Sequence, residues 1–458
     1  MKKIVAAIVV VIAVAAIGLA GWFYADRDPM SFAGGATVAL EDYKGGNVTG
    51  VPPELADADI AKRGEYLARA ADCQACHTAP GGAPFAGGFA FVMPFGTIYS
   101  TNITADKETG IGNYSDAQFL AAVRNGVRAD GSHLYPAMPY TSYTLMSDAD
   151  VLAIKAYLLT LTPVHEPAKT SQLSWPFNQR GLMAIWNLVF NPDERFRPNV
   201  DRSAEWNRGA YLAEALGHCG DCHTPRNIAF ALNNSRKFAG AITAGWHAYN
   251  ITSDPDSGLG HWTAENLGAY LSTGYADGHG SPTGPMGEAY DNSLTYLLPQ
   301  DTKALVTYLR SIPARSSGLP RPVTTPAPVS YKEGVKTGTS DRRGELVFAS
   351  ACASCHSWTG ISPVNNHATL TGIRAVNDPS ATNVAQAVIN GVNRETEAGP
   401  VFMPAFGQGY SDEDIAAVAN YVTARFGAQG AGLTGEDIAS LRKQAPQQSK
   451  SDEVVHND

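Results

Sequence analysis

The segment RGEYLARAADCQACHTAP, residues 63–80, carries the pattern that decides the fold of this 458-residue chain. Two similar segments follow it, RGAYLAEALGHCGDCHTPR at 208–226 and RGELVFASACASCHSW at 343–358. Each begins with Arg-Gly, continues as a short helical pattern, and reaches Cys-x-x-Cys-His within eight to ten residues of the glycine. Self-similarity of this kind predicts one structural unit that is used three times.

All six cysteines of the chain lie in these three pairs, whereas scattered cysteines in an exported protein would indicate disulfides. Two thiols at this spacing reach the two vinyl groups of one porphyrin, and the histidine beside them then lies under the ring as an iron ligand. A thioredoxin-like pair would not need the histidine, and a zinc site would need four ligands in one place. The pattern therefore predicts three covalently bound haem c groups (heme c). The predicted attachment residues are Cys73, Cys76, Cys219, Cys222, Cys352 and Cys355, and the predicted proximal iron ligands are His77, His223 and His356.

Methionine is the expected sixth iron ligand, because histidine with methionine is typical of electron-carrying cytochromes c. Met138, Met286 and Met403 follow their motif histidines by 61, 63 and 47 residues. Each lies in a stretch rich in proline or glycine, predicted to be a loop, just before the last helix of its unit. These three methionines are the predicted ligands. Met93 in VMPFGT is a rival for the first haem, although the other units have no methionine at the corresponding place.

Each unit ends in a helical pattern that carries one tyrosine at a matching place. Ser147 and Ser411, each followed by acidic residues, are predicted to begin this helix in the first and third units. We expect the glycine of each Arg-Gly pair to leave a gap on the first helix, in which the aromatic residue of the last helix lies. The two helices would then cross closely; ordinary core packing of the tyrosines is the alternative. The glycines are Gly64, Gly209 and Gly344, and the tyrosines are Tyr157, Tyr308 and Tyr421.

The first two units share another segment, STNITADKETGIGNYS from Ser100 and AYNITSDPDSGLGHWT from Ala248. Both are predicted to be loops over the haem edge, with asparagines that bind the haem propionates. Turn formation by Asn and Gly is the alternative. The third unit lacks this segment, so the surroundings of its haem should differ.

The N-terminus places Lys2 and Lys3 before an uncharged run of 21 residues, Ile4 to Tyr24. A membrane-spanning helix needs about 20 apolar residues, so this run is either a retained anchor or a cleavable signal. Both interpretations send the rest of the chain across the membrane and keep the two lysines in the cytoplasm. The net charge of −9 and the lack of a basic patch argue against nucleic acid as a partner.

The predicted fold is mainly α, with three tandem class-I-like cytochrome c domains behind an N-terminal transmembrane helix or signal segment. An aromatic connector, WPFNQRGLMAIWNLVF at 175–190, lies between the first two domains and should pack against something. The predicted boundaries are 1–25 for the anchor or signal, 56–165, 198–315 and 340–430 for the three domains, 316–339 for a Pro-rich linker and 431–458 for a polar tail.

The chain resembles the three-haem cytochrome c subunits of bacterial membrane-bound dehydrogenases, which include periplasmic alcohol, gluconate, sorbitol, aldehyde and nicotinate dehydrogenases. The resemblance covers roughly Asp59 to Phe426 and rests on GTIYSTNIT, LYPAMPY, GHCGDCHTPRN and the order of the three units. Some family members are anchored through a C-terminal amphipathic segment, and the polar tail of this chain departs from that arrangement.

The resemblance implies an electron-transfer subunit with no substrate site of its own. A catalytic subunit of flavin, pyrroloquinoline quinone (PQQ) or molybdenum type would supply electrons, and ubiquinone would accept them at the periplasmic side of the bacterial inner (cytoplasmic) membrane. A multi-haem subunit of a terminal oxidase is one alternative. A haem peroxidase is another, but it would need an open sixth iron position, where each unit here offers a methionine.

Overall fold

The computed structural model describes residues 28–329, 342–396 and 399–444, together with Gly18 and Gly21. Apart from these two glycines, the predicted N-terminal anchor or signal lies outside the described residues. Among the helices of the described ranges, none combines the length and the apolar character that a membrane span requires.

The architecture is mainly α-helical, as expected, with small antiparallel sheets. The helices are α1 Ile60–Ala70, α2 Cys73–His77, α3 Asp116–Leu120, α4 Tyr140–Tyr143, α5 Asp148–Leu158, α6 Leu182–Phe190, α7 Ala204–Tyr211, α8 Gly220–His223, α9 Ala264–Thr273, α10 Pro285–Asn292, α11 Pro299–Ser311, α12 Arg342–Val347, α13 Ala353–His356, α14 Thr382–Asn390, α15 Asp412–Phe426 and α16 Gly435–Gln444. The strands are β1 Ala90–Met93, β2 Gly96–Tyr99, β3 Gln172–Leu173, β4 Ala241–Thr243, β5 Trp246–Ala248, β6 Val392–Thr396 and β7 Gly399–Met403.

Side-chain caps begin several of these helices at the predicted places. Ser147 accepts a hydrogen bond from the backbone of Asp150 at the start of α5. Ser411 and Asp414 form a complete capping box at the start of α15. Both helices carry acidic residues in the first turn, where the helix dipole favours negative charge.

Each unit is built on a crossing between its first and last helices: α1 with α5, α7 with α11, and α12 with α15. A Cβ atom on Gly64, Gly209 or Gly344 would overlap a backbone carbonyl of the last helix. The overlapping carbonyls belong to Ala153, Ala304 and Ala417. The close crossing at glycine is therefore confirmed, although backbone fills most of the gap. The tyrosine Cβ atoms come next, at 3.0, 2.8 and 2.9 Å.

The first and second units share one hydrophobic core, in which Leu67, Leu158, Leu216 and Leu309 are all buried. The third unit has a core of its own. The aromatic connector between the first two units folds onto them, as expected. Strand β3, just before the connector, extends the β1–β2 hairpin, and the connector contains α6.

The third unit extends beyond its predicted boundary at residue 430. Helix α16 packs onto α14 and α15, and its Ile438 is completely buried in the third core. The segment 431–444 therefore belongs to the third unit instead of to a polar tail, because one apolar face of an otherwise polar helix is enough to hold it there. Residues 445–458 of the predicted tail and 330–341 of the linker region lie outside the described residues.

Candidate haem-binding sites

The three Cys-x-x-Cys-His motifs lie at one-turn helices, α2, α8 and α13, at the end of the first helical segment of each unit. Helix α2 contains the whole first motif, whereas Cys219 and Cys352 are the N-cap residues of α8 and α13. All six cysteines are free thiols, so none of them is used in a disulfide. Residues three positions apart lie on the same face of a helical turn, which brings both thiols of a motif to one side. Burial raises the pKa of the Cys73 and Cys219 thiols to about 12, and both are therefore neutral at pH 7.

The histidine of each motif is held in the same way. Its Nδ1 atom lies within hydrogen-bond distance of a backbone carbonyl, so Nδ1 carries the hydrogen and Nε2 keeps a free lone pair. Burial also lowers the pKa of all three imidazoles, which favours the neutral form that a metal ion needs. The distances are 2.7 Å from His77 to Thr101, 2.6 Å from His223 to Tyr249 and 2.6 Å from His356 to Ala368.

These three histidines and their thiols fit haem c. The tautomer, the neutral charge and the paired thiols are what an Nε2 ligand and two thioether bonds require. The carbonyls that orient the histidines were missed in the sequence. For the first two units a signal was present, because Thr101 and Tyr249 directly precede the two Asn-Ile-Thr triplets.

The asparagines of those triplets do not face a haem propionate. Asn102 is buried, and its Nδ2 donates to the Oγ1 of Thr109 at 2.9 Å and to the carbonyl of Val164 at 2.6 Å. Its Oδ1 accepts from the backbone of Thr104 at 2.8 Å. Both amide hydrogens are thus used inside the protein. The propionate hypothesis is wrong for this residue, and the turn-forming alternative is correct.

Asn250 repeats this arrangement in the second unit. Its Nδ2 donates to the Oγ of Ser257 at 3.0 Å and to the carbonyl of Arg315 at 2.6 Å. Each asparagine therefore ties the loop that orients a motif histidine to the chain that leaves the last helix of the same unit. The third unit differs, as expected, because its acceptor Ala368 follows His356 by only 12 positions.

The threonine that directly follows each of the first two motifs makes a second hydrogen bond that these two units share. Thr78 accepts a hydrogen bond from the backbone of Phe85 at 3.1 Å, and Thr224 accepts one from Phe238 at 3.1 Å. The sequence carries this signal as Cys-His-Thr followed by Phe-Ala-Gly. The third motif has Ser357 instead of threonine, so this hydrogen bond from a phenylalanine backbone to a threonine hydroxyl is a feature of the first two units.

The three predicted methionine ligands lie on different local structures. Met138 is partly buried beside the shared core, two residues before α4. Met403 ends β7 and packs against the third core. Met286 lies in the first turn of α10, directly after Pro285, and not in a loop as predicted, because Pro at the first helical position favours helix formation. All three assignments remain predictions.

The rival Met93 ends strand β1 at the turn of a hairpin, paired with Gly96. In the corresponding hairpin of the second unit, Thr243 takes this place, paired with Trp246. The first and second units therefore have the same hairpin without a common methionine in it. This supports Met138 as the ligand of the first unit.

The first two motifs lie next to each other. Tyr143, five residues after Met138, donates its hydroxyl hydrogen to the carbonyl of Ala71 at 2.6 Å, just before the first motif. Its ring packs edge-on against His218, just before the second motif, with 5.4 Å between centroids. The neighbouring Ser142 contacts Asp221 inside the second motif at 3.0 Å.

The second and third units contact each other through segments that also carry predicted haem-binding residues or their hydrogen-bond partners. Tyr249 accepts from His223 through its carbonyl, and its hydroxyl donates to Asp378 of the third unit at 3.2 Å. Arg394 in β6 forms an ion pair with Asp291 in α10 at 2.9 Å. The helix that contains Met286 and the hairpin that ends at Met403 are therefore joined directly.

Comparison with known families agrees with this geometry. Residues 61–162 match the cytochrome c family, and residues 339–422 match the family described as cytochrome c oxidase, cbb3-type, subunit III. These matches show two cytochrome c domains. The chain is a c-type cytochrome with at least two haem c sites.

The similarity to individual proteins extends over nearly the whole chain. The fructose dehydrogenase cytochrome subunit of Gluconobacter japonicus is 39% identical over 91% of both chains. The gluconate 2-dehydrogenase cytochrome c subunit of Pantoea cypripedii is 40% identical over 85% of this chain and 91% of that protein. The cytochrome c subunit of alcohol dehydrogenase (quinone) of Gluconobacter oxydans (strain 621H) is 35% identical over 84% of this chain and 83% of that protein.

The chain therefore belongs to the family of cytochrome c subunits of bacterial dehydrogenases, which confirms the resemblance seen in the sequence. It is an electron-transfer subunit and not the catalytic subunit of such a complex.

Proposed function

We propose that this chain accepts electrons from the catalytic subunit of a dehydrogenase and delivers them, through three haem c groups, to ubiquinone at the periplasmic side of the bacterial inner membrane. The proposal of three haems is best supported by the local environment that His77, His223 and His356 share. Each is partly buried and neutral, is oriented by a carbonyl, and has two thiols beside it.

Each unit of the chain contributes the same parts. The glycine crossing fixes the first helix against the last, and the motif follows at the end of the first helical segment. A carbonyl then holds the histidine in the tautomer that leaves Nε2 free. Bound haem c supplies reversible one-electron transfer, and a methionine as the sixth ligand raises its reduction potential. Met138, Met286 and Met403 are the proposed ligands.

The contacts between units support transfer along the chain. Tyr143 bridges the approaches to the first and second motifs, and Tyr249 links the second histidine to the third unit. Hydrogen-bonded bridges of this kind hold the sites at fixed separations. The catalytic partner is proposed to be a flavin, PQQ or molybdenum enzyme, because two-electron oxidation of a substrate needs such a cofactor.

Anchoring is proposed at the N-terminus. The uncharged run from Ile4 to Tyr24 is long enough to cross a bilayer and follows Lys2 and Lys3, which favour the cytoplasmic side. The anchor would hold the three units at the membrane surface, where ubiquinone is found.

The number of haems is tested by a pyridine haemochrome assay on the mature protein, normalised to protein mass. We expect three haems per chain. The double variant Cys352→Ser/Cys355→Ser should contain two, with the first two units still loaded. A wild-type count of two would overturn the proposal for the third unit.

The route is tested by stopped-flow absorbance of the haem bands. The purified chain should stay oxidised when candidate alcohols, aldehydes or sugar acids are added alone. It should become reduced once the co-purified catalytic subunit is present, and a ubiquinone analogue should re-oxidise it. Reduction by substrate without a partner would make the chain an enzyme, and re-oxidation by a terminal oxidase but not by the quinone would favour the oxidase alternative that the third-unit family match raises.

A further inference from the structure

Helix α6 of the aromatic connector exposes apolar side chains to the solvent and turns a polar side chain towards the protein. Nine residues, LMAIWNLVF, contain no charge. The outward face presents Leu182, Ile185 and Leu188, which are 45%, 64% and 77% exposed. On an ordinary surface helix this face would be polar and the inward face apolar. Exposed apolar surface of this kind marks an interaction site.

The polar side chain of α6 points inward instead. Asn187 donates to the carbonyl of Asn125 at 2.9 Å and accepts from the hydroxyl of Tyr140 at 2.7 Å. Trp186 also faces the protein, because its Nε1 donates to the carbonyl of Ala229 at 2.8 Å. The helix is therefore fixed to the first two units, and the direction in which Ile185 points is built into the fold.

The exposed apolar surface continues beyond the helix. Phe177 stacks on Phe95 at 4.4 Å between centroids, and Phe95 meets Phe230 edge-on at 5.1 Å. This row of rings brings the flanking loops beside α6. We call the resulting surface the apolar patch; its members are Trp175, Phe177, Leu182, Ile185, Leu188 and Ile228.

The path of the chain indicates what covers the patch. Pro29 lines one cavity together with Trp186 and Phe190, on the inner side of α6. Asp28 follows Tyr24, the end of the uncharged run, by four positions, which allows a reach of roughly 13 Å. A membrane anchor that ends at Tyr24 would hold α6 close to the bilayer surface.

We propose that the apolar patch lies in the membrane interface, with Leu182, Ile185 and Leu188 inserted among the lipid acyl chains. This inference rests on the membrane attachment in the proposed function. Trp175, which is 78% exposed, suits the headgroup level, where tryptophan is enriched. An uncharged helix with one strongly apolar face can lie in the interface plane, and it would fix the orientation of the first two haem sites relative to the membrane.

The test uses the full haem-loaded chain in nanodiscs of phosphatidylcholine and phosphatidylglycerol. A nitroxide is attached at Ile185→Cys, and separately at Leu188→Cys in case one variant fails to fold. Val364→Cys in the third unit is the matched control, since Val364 is 67% exposed. Electron paramagnetic resonance then measures collisions of each label with oxygen, which concentrates in lipid, and with a water-soluble nickel complex.

At positions 185 and 188 we expect oxygen accessibility to exceed nickel accessibility, whereas the label at 364 should show the reverse. Water-like accessibility at 185 and 188 in a nanodisc-bound chain would overturn the inference and leave the N-terminal anchor intact. Labels shielded from both reagents, or shielded only after the catalytic subunit is added, would show a protein cover and would also overturn it. A chain that does not stay with the nanodisc would instead contradict the membrane attachment itself.

Discussion

The hydroxyl oxygen of Tyr66 lies 2.7 Å from a carboxylate oxygen of Asp301, although the two residues are 235 positions apart in the chain. The contact joins the first helix of the first unit to the last helix of the second. The reciprocal contact is also present, because Tyr211 donates to Asp150 at 2.6 Å. The two units therefore pair with approximate twofold symmetry. In the third unit Leu346 stands at the tyrosine position and is 55% exposed, so this unit does not pair in the same way.

Removing either hydroxyl should weaken the pairing of the first two units. We expect Tyr66→Phe and Tyr211→Phe each to lower the free energy of unfolding by about 1.5–3 kcal/mol, because each removes one hydrogen bond to a buried carboxylate, although that carboxylate keeps another donor. Urea unfolding followed by circular dichroism measures this. Tyr99→Phe, in strand β2 away from the interface, should leave stability nearly unchanged. Equal effects in all three variants would mean that the interface hydroxyls have no special role.

Adding one methyl group at a helix crossing should be costly. Gly209→Ala would drive a Cβ into the carbonyl of Ala304, and we expect a loss of about 3 kcal/mol in the free energy of unfolding. Gly268→Ala in α9 is the matched control, since the nearest atom to its Cβ, on Val306, would be 4.0 Å away. That variant should gain up to about 1 kcal/mol from helix propensity. Similar stabilities for the two variants would contradict the packing argument.

Replacing Met138, Met286 or Met403 by alanine should each remove one methionine–iron band in the near infrared. Each should also lower one midpoint potential by on the order of 100 mV, a fraction of the about 0.8 V that axial ligands span. Spectroelectrochemical titration resolves both effects. Met93→Ala should alter neither, and loss of a band in that variant would move the first-unit ligand to the hairpin.

A pH effect should arise in the second unit, where the His279 ring stacks on Trp262 with 3.7 Å between centroids. Burial, with His261 adding to it, lowers the pKa of His279 to about 4. The unfolded chain therefore binds this proton more readily than the folded one, so stability present above pH 6.5 is lost as the pH falls towards 4.

We expect His279→Phe to reduce that loss by on the order of 1 kcal/mol, because phenylalanine keeps the stacking and cannot be protonated; the value allows for partial solvent exposure. Urea unfolding at pH 7, 5.5 and 4.5 measures the difference. Parallel curves for wild type and His279→Phe would refute the assignment.

Local patterns predicted the parts of this protein that depend on neighbouring residues. The Cys-x-x-Cys-His motifs, the helix starts at Ser147 and Ser411, and the glycine that begins each unit were all readable in the sequence. Each depends on covalent spacing, on a single helical turn, or on the absence of one Cβ atom. Repetition supplied the rest, since Gly64, Gly209 and Gly344 recur at the same place in each unit.

Long-range partners were decided only by the tertiary structure. The buried amide of Asn102 finds its acceptor Val164 62 residues away, so a propionate hypothesis based on its own loop was bound to miss it. The exposed apolar face of α6 could not be predicted for a similar reason. Asn187 points inward because it donates to the carbonyl of Asn125, 62 positions earlier in the chain. Sequence spacing determines which groups can form one turn or attach one porphyrin. Which buried donor meets which acceptor depends on how distant segments pack, since a buried polar group must be paired wherever the fold places it.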